Sequence, residues 1–253
     1  MKVKYFDLKN KRVFISGGGS GIGATIVEHF CEQNSDVYFI DIDVKSSKKL
    51  ISNIKKKKKR VPKFIECNIL DIKKLQNIIK NIIANKGPIH CLINSAANDD
   101  RHTTEQVDEK YWENRMGINL KHYFFAAQSV VKGMKKIKSG SIVNLSSVSW
   151  MLGEGDKVVY ETAKSAVIGL TRSFAQEFGK YNIRTNSVIP GSIATERQIK
   201  NWLTPKYKKL ILDSQALKRQ LKPDDVARLV LFLSSDQSSG CTKQSFIIDA
   251  GIT

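Results

Sequence analysis

No stretch of this 253-residue chain approaches the about 20 consecutive apolar residues that a membrane-spanning helix needs. Met1 to Lys11 is charged throughout and lacks the apolar centre of a secretion signal. Both absences point to a cytoplasmic protein with no membrane partner. The four cysteines, Cys31, Cys67, Cys91 and Cys241, lie far apart with no CxxC pair, and no histidine cluster accompanies them. Neither a disulfide framework nor a zinc site is indicated, so reduced, mostly buried thiols and no metal are expected.

Arginine is scarce as well, supplying 9 of the 42 basic residues against 33 lysines. That scarcity bears on the net charge of +18, which alone would suggest a nucleic-acid surface. Phosphate-reading surfaces lean more on arginine, and lysine together with abundant Ile and Asn is what an AT-rich genome gives any protein. The run Lys55 to Arg60 closes an amphipathic stretch (Leu50, Ile51, Ile54) and needs only a solvated helix end or loop. A nucleic-acid partner, or a non-catalytic basic nucleotide- or RNA-binding role, is the weaker reading.

What is present is 41% apolar residues, enough for one sizeable core and short for two full domains. With no repeat, low-complexity linker or composition break, residues 1–253 read as a single domain. Strand-like runs recur at Arg12 to Ser16, Val37 to Ile40, Lys63 to Ile65, Cys91 to Asn94, Ser141 to Leu145, Thr185 to Ile189 and Phe246 to Ile248. Helix-like segments lie between them, at Ala24 to Asn34, Ile72 to Ala84, Trp112 to Met134, Thr162 to Phe178 and Pro223 to Ser234. This alternation predicts an α/β fold, a Rossmann-type doubly wound parallel sheet of about seven strands with helices on both faces. The one irregular stretch, 191–220, is a candidate substrate lid.

Ser16-Gly17-Gly18-Gly19-Ser20-Gly21-Ile22-Gly23 follows the first strand directly and opens the first helix. Small residues there let the backbone approach a pyrophosphate, whose charge the helix N-terminus receives. The second strand ends in Asp41, about 20 residues beyond the glycines, where a carboxylate accepts from two ribose hydroxyls and repels the 2′-phosphate of NADP. NAD is therefore favoured over NADP. Asp43, two residues on, points away from the face that Asp41 uses.

Tyr160 and Lys164 share one helix face, four residues apart. Tyr5 and Lys9 have the same spacing, but Tyr160 opens a long small-residue helix just after a strand ending in Ser146-Ser147. A phenol with a pKa near 10 is a poor base at neutral pH, and a nearby ammonium and a cationic nicotinamide would both favour phenolate. A fall of about 3 units corresponds to roughly 4 kcal/mol.

From the glycine turn through Ser147, Tyr160-x-x-x-Lys164 and Pro190-Gly191 to the last strand, the chain resembles the short-chain dehydrogenase/reductase family. The resemblance implies a catalytic set of Asn119, Ser147, Tyr160 and Lys164. Ser147, 13 residues before Tyr160, would orient the substrate oxygen, with Ser146 structural. Asn119 would hold a water relaying protons to Lys164, and Lys164 would also bond the nicotinamide ribose. Cofactor contacts would come from Gly17, Ser20, Gly21, Ile22, Gly23, Asp41, Asn68, Ile69, Asn94, Ala96, Tyr160, Lys164, Pro190, Gly191, Ile193 and Thr195, the last two at the carboxamide. The chain departs from the family in three places. Asn94-Ser95-Ala96-Ala97 replaces Asn-Asn-Ala-Gly, Asn68 stands where Asp often meets adenine, and Cys241-Thr242-Lys243 replaces Thr-Gly.

Asn98-Asp99-Asp100-Arg101-His102 forms a polar cluster after the fourth strand, at the sheet end where open α/β folds bind ligands. Trp150 could stack on the C–H face of a sugar. With Arg115 to His122, Ser149-Trp150 and Asp249-Ala250-Gly251, these segments resemble the NAD-dependent aldose 1-dehydrogenases of the D-xylose 1-dehydrogenase type. That resemblance implies oxidation of an anomeric hydroxyl to a lactone, and the wider family resemblance implies a homotetramer built on the long helices holding Asn119 and Tyr160. Asp99, Arg101, His102, Trp150 and Arg197 are candidate substrate residues. The alternative for Asp99, Arg101, His102, Arg197 and Gln198 is that ion pairs tie the loop down. The alternative activity is reduction of a 3-ketoacyl or keto-sugar-acid substrate by the same residues.

Overall fold

Along β1 (Arg12–Ser16), Val13 and Ile15 join one hydrophobic core and Phe14 the other, and all three are fully buried. A strand apolar on both faces requires a sheet covered on both sides. The computed structural model, which describes residues 3–253, shows this arrangement. Six further strands accompany β1: β2 (Asp36–Asp41), β3 (Lys63–Glu66), β4 (Cys91–Asn94), β5 (Gly140–Leu145), β6 (Ile183–Pro190) and β7 (Ser245–Ile248). All pair in parallel, in the order β3-β2-β1-β4-β5-β6-β7.

Ile26, Val27 and Phe30 of α1 (Gly21–Glu32), Ile54 of α2 (Val44–Lys56) and Val226 and Val230 of α10 (Pro223–Ser234) fill one core. Leu75 and Ile79 of α3 (Ile72–Lys86), Ala126 and Val130 of α5 (His122–Ile137) and Phe174 and Phe178 of α7 (Val158–Phe178) fill the other. The strand order reverses between β1 and β4, which opens a crevice beyond the carboxyl ends of the strands.

Two expectations are corrected. The segment Trp112 to Met134 is not one regular helix: α4 (Glu109–Met116) meets α5 through a wide π turn over Gly117–Lys121. The side chain of Asn119 bonds the main chain of Asn98 from within that turn, and a Cβ on Gly117 would lie 2.6 Å from Leu70. The stretch 191–220 is also more ordered than expected. It holds α8 (Glu196–Asn201), capped by Thr195, and α9 (Pro205–Ser214), capped by Thr204 with Pro205 in its first turn. The short helix α6 (Ser149–Leu152) follows β5. No helix among the described residues is long and apolar enough to cross a membrane. All four cysteines are unpaired, three of them buried.

Candidate active site

The amides of Gly17 and Gly18 both donate to the Ile40 carbonyl, at 2.9 and 3.1 Å, which folds the glycine turn over the end of β2. Gly17 has φ +69°, and a Cβ there would stand 2.6 Å from the Cα of Ala96. A Cβ on Gly23 would stand 1.9 Å from the carbonyl oxygen of Gly17. Ser20 makes no side-chain cap for α1, so the positive end of that helix opens on the crevice. A bare helix end beneath a turn that tolerates no Cβ fits a pyrophosphate.

The crevice is a cavity of about 1260 Å³. Gly17, Ser20, Gly21, Ile22, Gly23, Asp41, Asn68, Ile69, Ala96, Tyr160, Lys164, Pro190, Gly191, Ile193 and Thr195 all line it. A Cβ on Gly21 would be 3.3 Å from Thr195, so its two walls nearly meet. Asp41 accepts from the Gly19 amide at 2.8 Å and the Asp43 amide at 2.9 Å, which aims its carboxylate. Asp43 is exposed and caps α2 by accepting from Ser46. Asn94 is a correction. It is fully buried off the cavity and its amide donates to Asn144, so it ties β4 to β5 and has no surface to offer a cofactor.

Ser147, Tyr160 and Lys164 meet beyond the glycine turn. Ser147 and Tyr160 line the cavity side by side, and the Ser147 hydroxyl contacts the Ser149 hydroxyl at 2.9 Å. Ser146 lies behind them, its hydroxyl donating to the Lys164 carbonyl at 2.7 Å. Lys164 is buried and donates to Tyr123 Oη at 2.9 Å and to the Leu145 carbonyl at 2.8 Å, with its Nζ 5.6 Å from the Tyr160 ring centre. Asn119 is fully buried. Its oxygen accepts from the Asn98 amide, and its Nδ2 donates to the carbonyls of Asn98 and Arg115. Both amide protons are thus spent on the main chain, and none remains for a water leading to Lys164.

The expected depression of the phenol is absent from the protein alone. Burial first, and then the Asp99 carboxylate, push Tyr160 above its ordinary value, outweighing the lowering influence of the Ser147 hydroxyl. Burial also pushes Lys164 down to about 7. With the Lys164 ammonium directed at Tyr123 and Leu145, the protein alone does not offset the rise at Tyr160, and a bound cationic nicotinamide would add to the pull of Lys164 towards phenolate.

Among the candidate substrate residues, charge pairing prevails. Arg197 reaches Asp100 at 2.6 Å and Asp99 at 3.3 Å, and Gln198 donates to Asp99 at 2.6 Å. Arg101 pairs with Asp156 at 2.9 Å and lies 4.4 Å from the Trp202 ring. These contacts tie the loop after β4 to segment 191–220, although Asp99, Arg101 and Arg197 still line the cavity. His102 is a correction: it is buried between Tyr111 and the Val159 amide, anchoring the start of α7. So is Trp150, which lies off the cavity while Ser149 and Leu152 line it, because neighbours on a helix point about 100° apart. Tyr123 is the residue that sequence reasoning missed. Its place in the helix after Asn119 carries no signal without the packing of α5 on α7.

A doubly wound sheet with a bare helix end at its switch point and a Ser–Tyr–Lys set beside it defines a dinucleotide-dependent oxidoreductase, and the chain belongs to the short-chain dehydrogenase/reductase family. The family model described as enoyl-(acyl carrier protein) reductase matches residues 17–253. The chain is 42% identical to D-xylose 1-dehydrogenase of Caulobacter vibrioides, over 98% of this chain and 97% of that one. It is 40% identical to a probable galactose dehydrogenase of Rhizobium meliloti, over 97% and 96%. A solved structure described as a "putative short-chain alcohol dehydrogenase" from Sinorhizobium meliloti superposes with a TM-score of 0.91 at 27% identity, covering 98% of both chains. The protein is an oxidoreductase acting on CH–OH donors with a nicotinamide cofactor.

Proposed function

We propose that the protein oxidises the anomeric hydroxyl of an aldose, a pentose such as D-xylose or a related sugar, to the lactone, using NAD. The observation that carries the chemistry is the meeting of Ser147, Tyr160 and Lys164 at one point of the cavity. Bound there, NAD supplies the hydride acceptor. Ser147 holds the substrate oxygen, and Tyr160 as phenolate takes the proton from the anomeric hydroxyl while the hydride leaves C1. Lys164, with two protons committed to Tyr123 and Leu145, keeps its third for the nicotinamide ribose. Asn119 fixes the loop at Asn98 and would hold a water towards Lys164 only through an oxygen, since both its amide protons are taken.

Three further observations support the reading. Asp41, held by two amides, favours NAD because its carboxylate repels a 2′-phosphate. Asp99 and Glu154 both bear on Tyr160, while Arg101, Arg115, Arg197 and Lys157 are all paired with carboxylates. These four cations are already neutralised and offer no free charge to a keto acid or an acyl-carrier substrate, which weighs against the reductase alternative. Segment 191–220 serves as the lid, pinned to the loop after β4 until substrate enters. The homotetramer is part of this proposal, with Trp112 and Phe124, each 41% exposed, as apolar side chains for a partner to cover. Sedimentation velocity tests it.

The activity test mixes the purified protein with NAD or NADP and a panel of aldoses, polyols and hydroxy acids, following absorbance of the reduced cofactor. Turnover of a pentose with NAD is expected. Silence with every pentose and hexose would sink the sugar reading.

A further inference from the structure

The bond that orients Lys164 comes from a residue outside the family set. Tyr123 is fully buried, and its hydroxyl accepts from Lys164 Nζ at 2.9 Å while donating to the Leu145 carbonyl at 2.9 Å. Lys164 donates to that same carbonyl at 2.8 Å. The three groups close a triangle beneath Tyr160, where the ammonium has two neutral acceptors and no carboxylate in contact. Four titratable groups surround it: Asp99 from the loop after β4, His122 and Tyr123 from α5, and Tyr160 from its own helix. His122 lies edge-on to the Tyr123 ring, 4.4 Å between centres, and bonds the Ala96 carbonyl at 3.2 Å.

We propose that Tyr123 is a positioning residue for the acid/base: its hydroxyl keeps the buried Lys164 protonated and fixed beside Tyr160, acting on the reaction through Lys164. The inference rests on the reading of Tyr160 and Lys164 above. A phenol hydroxyl serves both ends of this triangle because it accepts on one side and donates on the other. A phenylalanine would fill the same space and leave the ammonium one acceptor short. An unpartnered buried charge is costly, so the charged form suffers most.

The sign of the pH dependence follows. Burial pushes Lys164 down to about 7, whereas a free lysine titrates near 10.5. Below about 7 the folded protein carries the ammonium and depends on Tyr123. Near pH 9 the amine is neutral and depends on it much less. Loss of the Tyr123 hydroxyl therefore destabilises the protein more at low pH than at high pH. A role in packing alone would destabilise it equally at both.

The test compares the full-length, cofactor-free protein with its Tyr123→Phe variant by urea unfolding at pH 5.5 and pH 9, alone and in a Lys164→Met background. The variant's relative unfolding constant is expected to be about tenfold larger at pH 5.5 than at pH 9, which corresponds to a shift of about one pKa unit. With Lys164→Met that difference disappears. An equal effect at both pH values overturns the proposal, as does a pH dependence that survives Lys164→Met. Tyr123→Leu carries the same expectation should the phenylalanine variant not fold. In turnover, Tyr123→Phe is expected to lower kcat about tenfold with the NAD dissociation constant within about twofold. Unchanged kcat across pH 6 to 10 overturns the proposal. If no aldose is turned over by the parent, the sugar reading fails while the unfolding cycle still decides the part played by Tyr123.

Discussion

The two ends of the cavity are built by different physics. The cofactor end is made of backbone, with Gly17 and Gly23 at positions where a Cβ would collide with Ala96 or with the turn itself, and an uncapped helix end. The substrate end is made of charged side chains that hold one another, with Arg197 on Asp99 and Asp100 and Arg101 on Asp156. The first is rigid and intolerant of a single methyl group. The second consists of half-exposed ion pairs, individually worth about 0–1 kcal/mol, and so can part to admit a substrate.

If that division is right, variants at the two ends should separate cofactor binding from substrate binding. The largest effect belongs to Gly17→Val, which puts a branched side chain at φ +69° against Ala96. NAD affinity is expected to fall more than about 100-fold by calorimetric titration, with roughly 3 kcal/mol of stability lost. Next comes acid sensitivity. His122 holds the Ala96 carbonyl and is pushed down to about 3, by burial first and then by Lys164, whereas an unfolded chain titrates it near 6.5. The unfolded state binds the proton first, so stability is lost as pH falls from 6.5 towards 3. Urea midpoints should show a loss of about 3 kcal/mol between pH 7 and pH 4 that His122→Gln largely removes. The smallest effect is that of Arg197→Ala, which should raise the sugar KM about threefold to fivefold and leave NAD affinity within about twofold. An equal loss of NAD affinity would mean that the two ends are not independent.

The same division explains what the sequence disclosed. The glycine turn, Asp41 and the strand alternation were legible because local backbone rules act over neighbouring residues. Ser147, Tyr160 and Lys164 were legible through motif spacing on one strand end and one helix. The partners of Asp99, Arg101 and Arg197 were not, since Arg197 and Asp100 lie 97 residues apart and a charge takes whichever partner the fold supplies. Tyr123 stayed hidden for the same reason, 41 residues from Lys164. Trp150 misled because a one-turn helix can rotate its indole off the cavity without changing the sequence pattern. Asn94 misled because family spacing says where a residue sits on a strand end and not that its side chain reaches the surface. The segment Trp112 to Met134 read as one helix because a π turn keeps helical periodicity almost unbroken.

The role proposed for Tyr160, acid/base of a sugar oxidation, is tested most directly by Tyr160→Phe assayed with NAD and D-xylose beside the parent protein. The expected result is a loss of about 10³-fold in kcat, within the span of general acid–base catalysis, with NAD affinity unchanged within about twofold. A variant that keeps a tenth or more of the parental kcat would contradict it and place the base elsewhere.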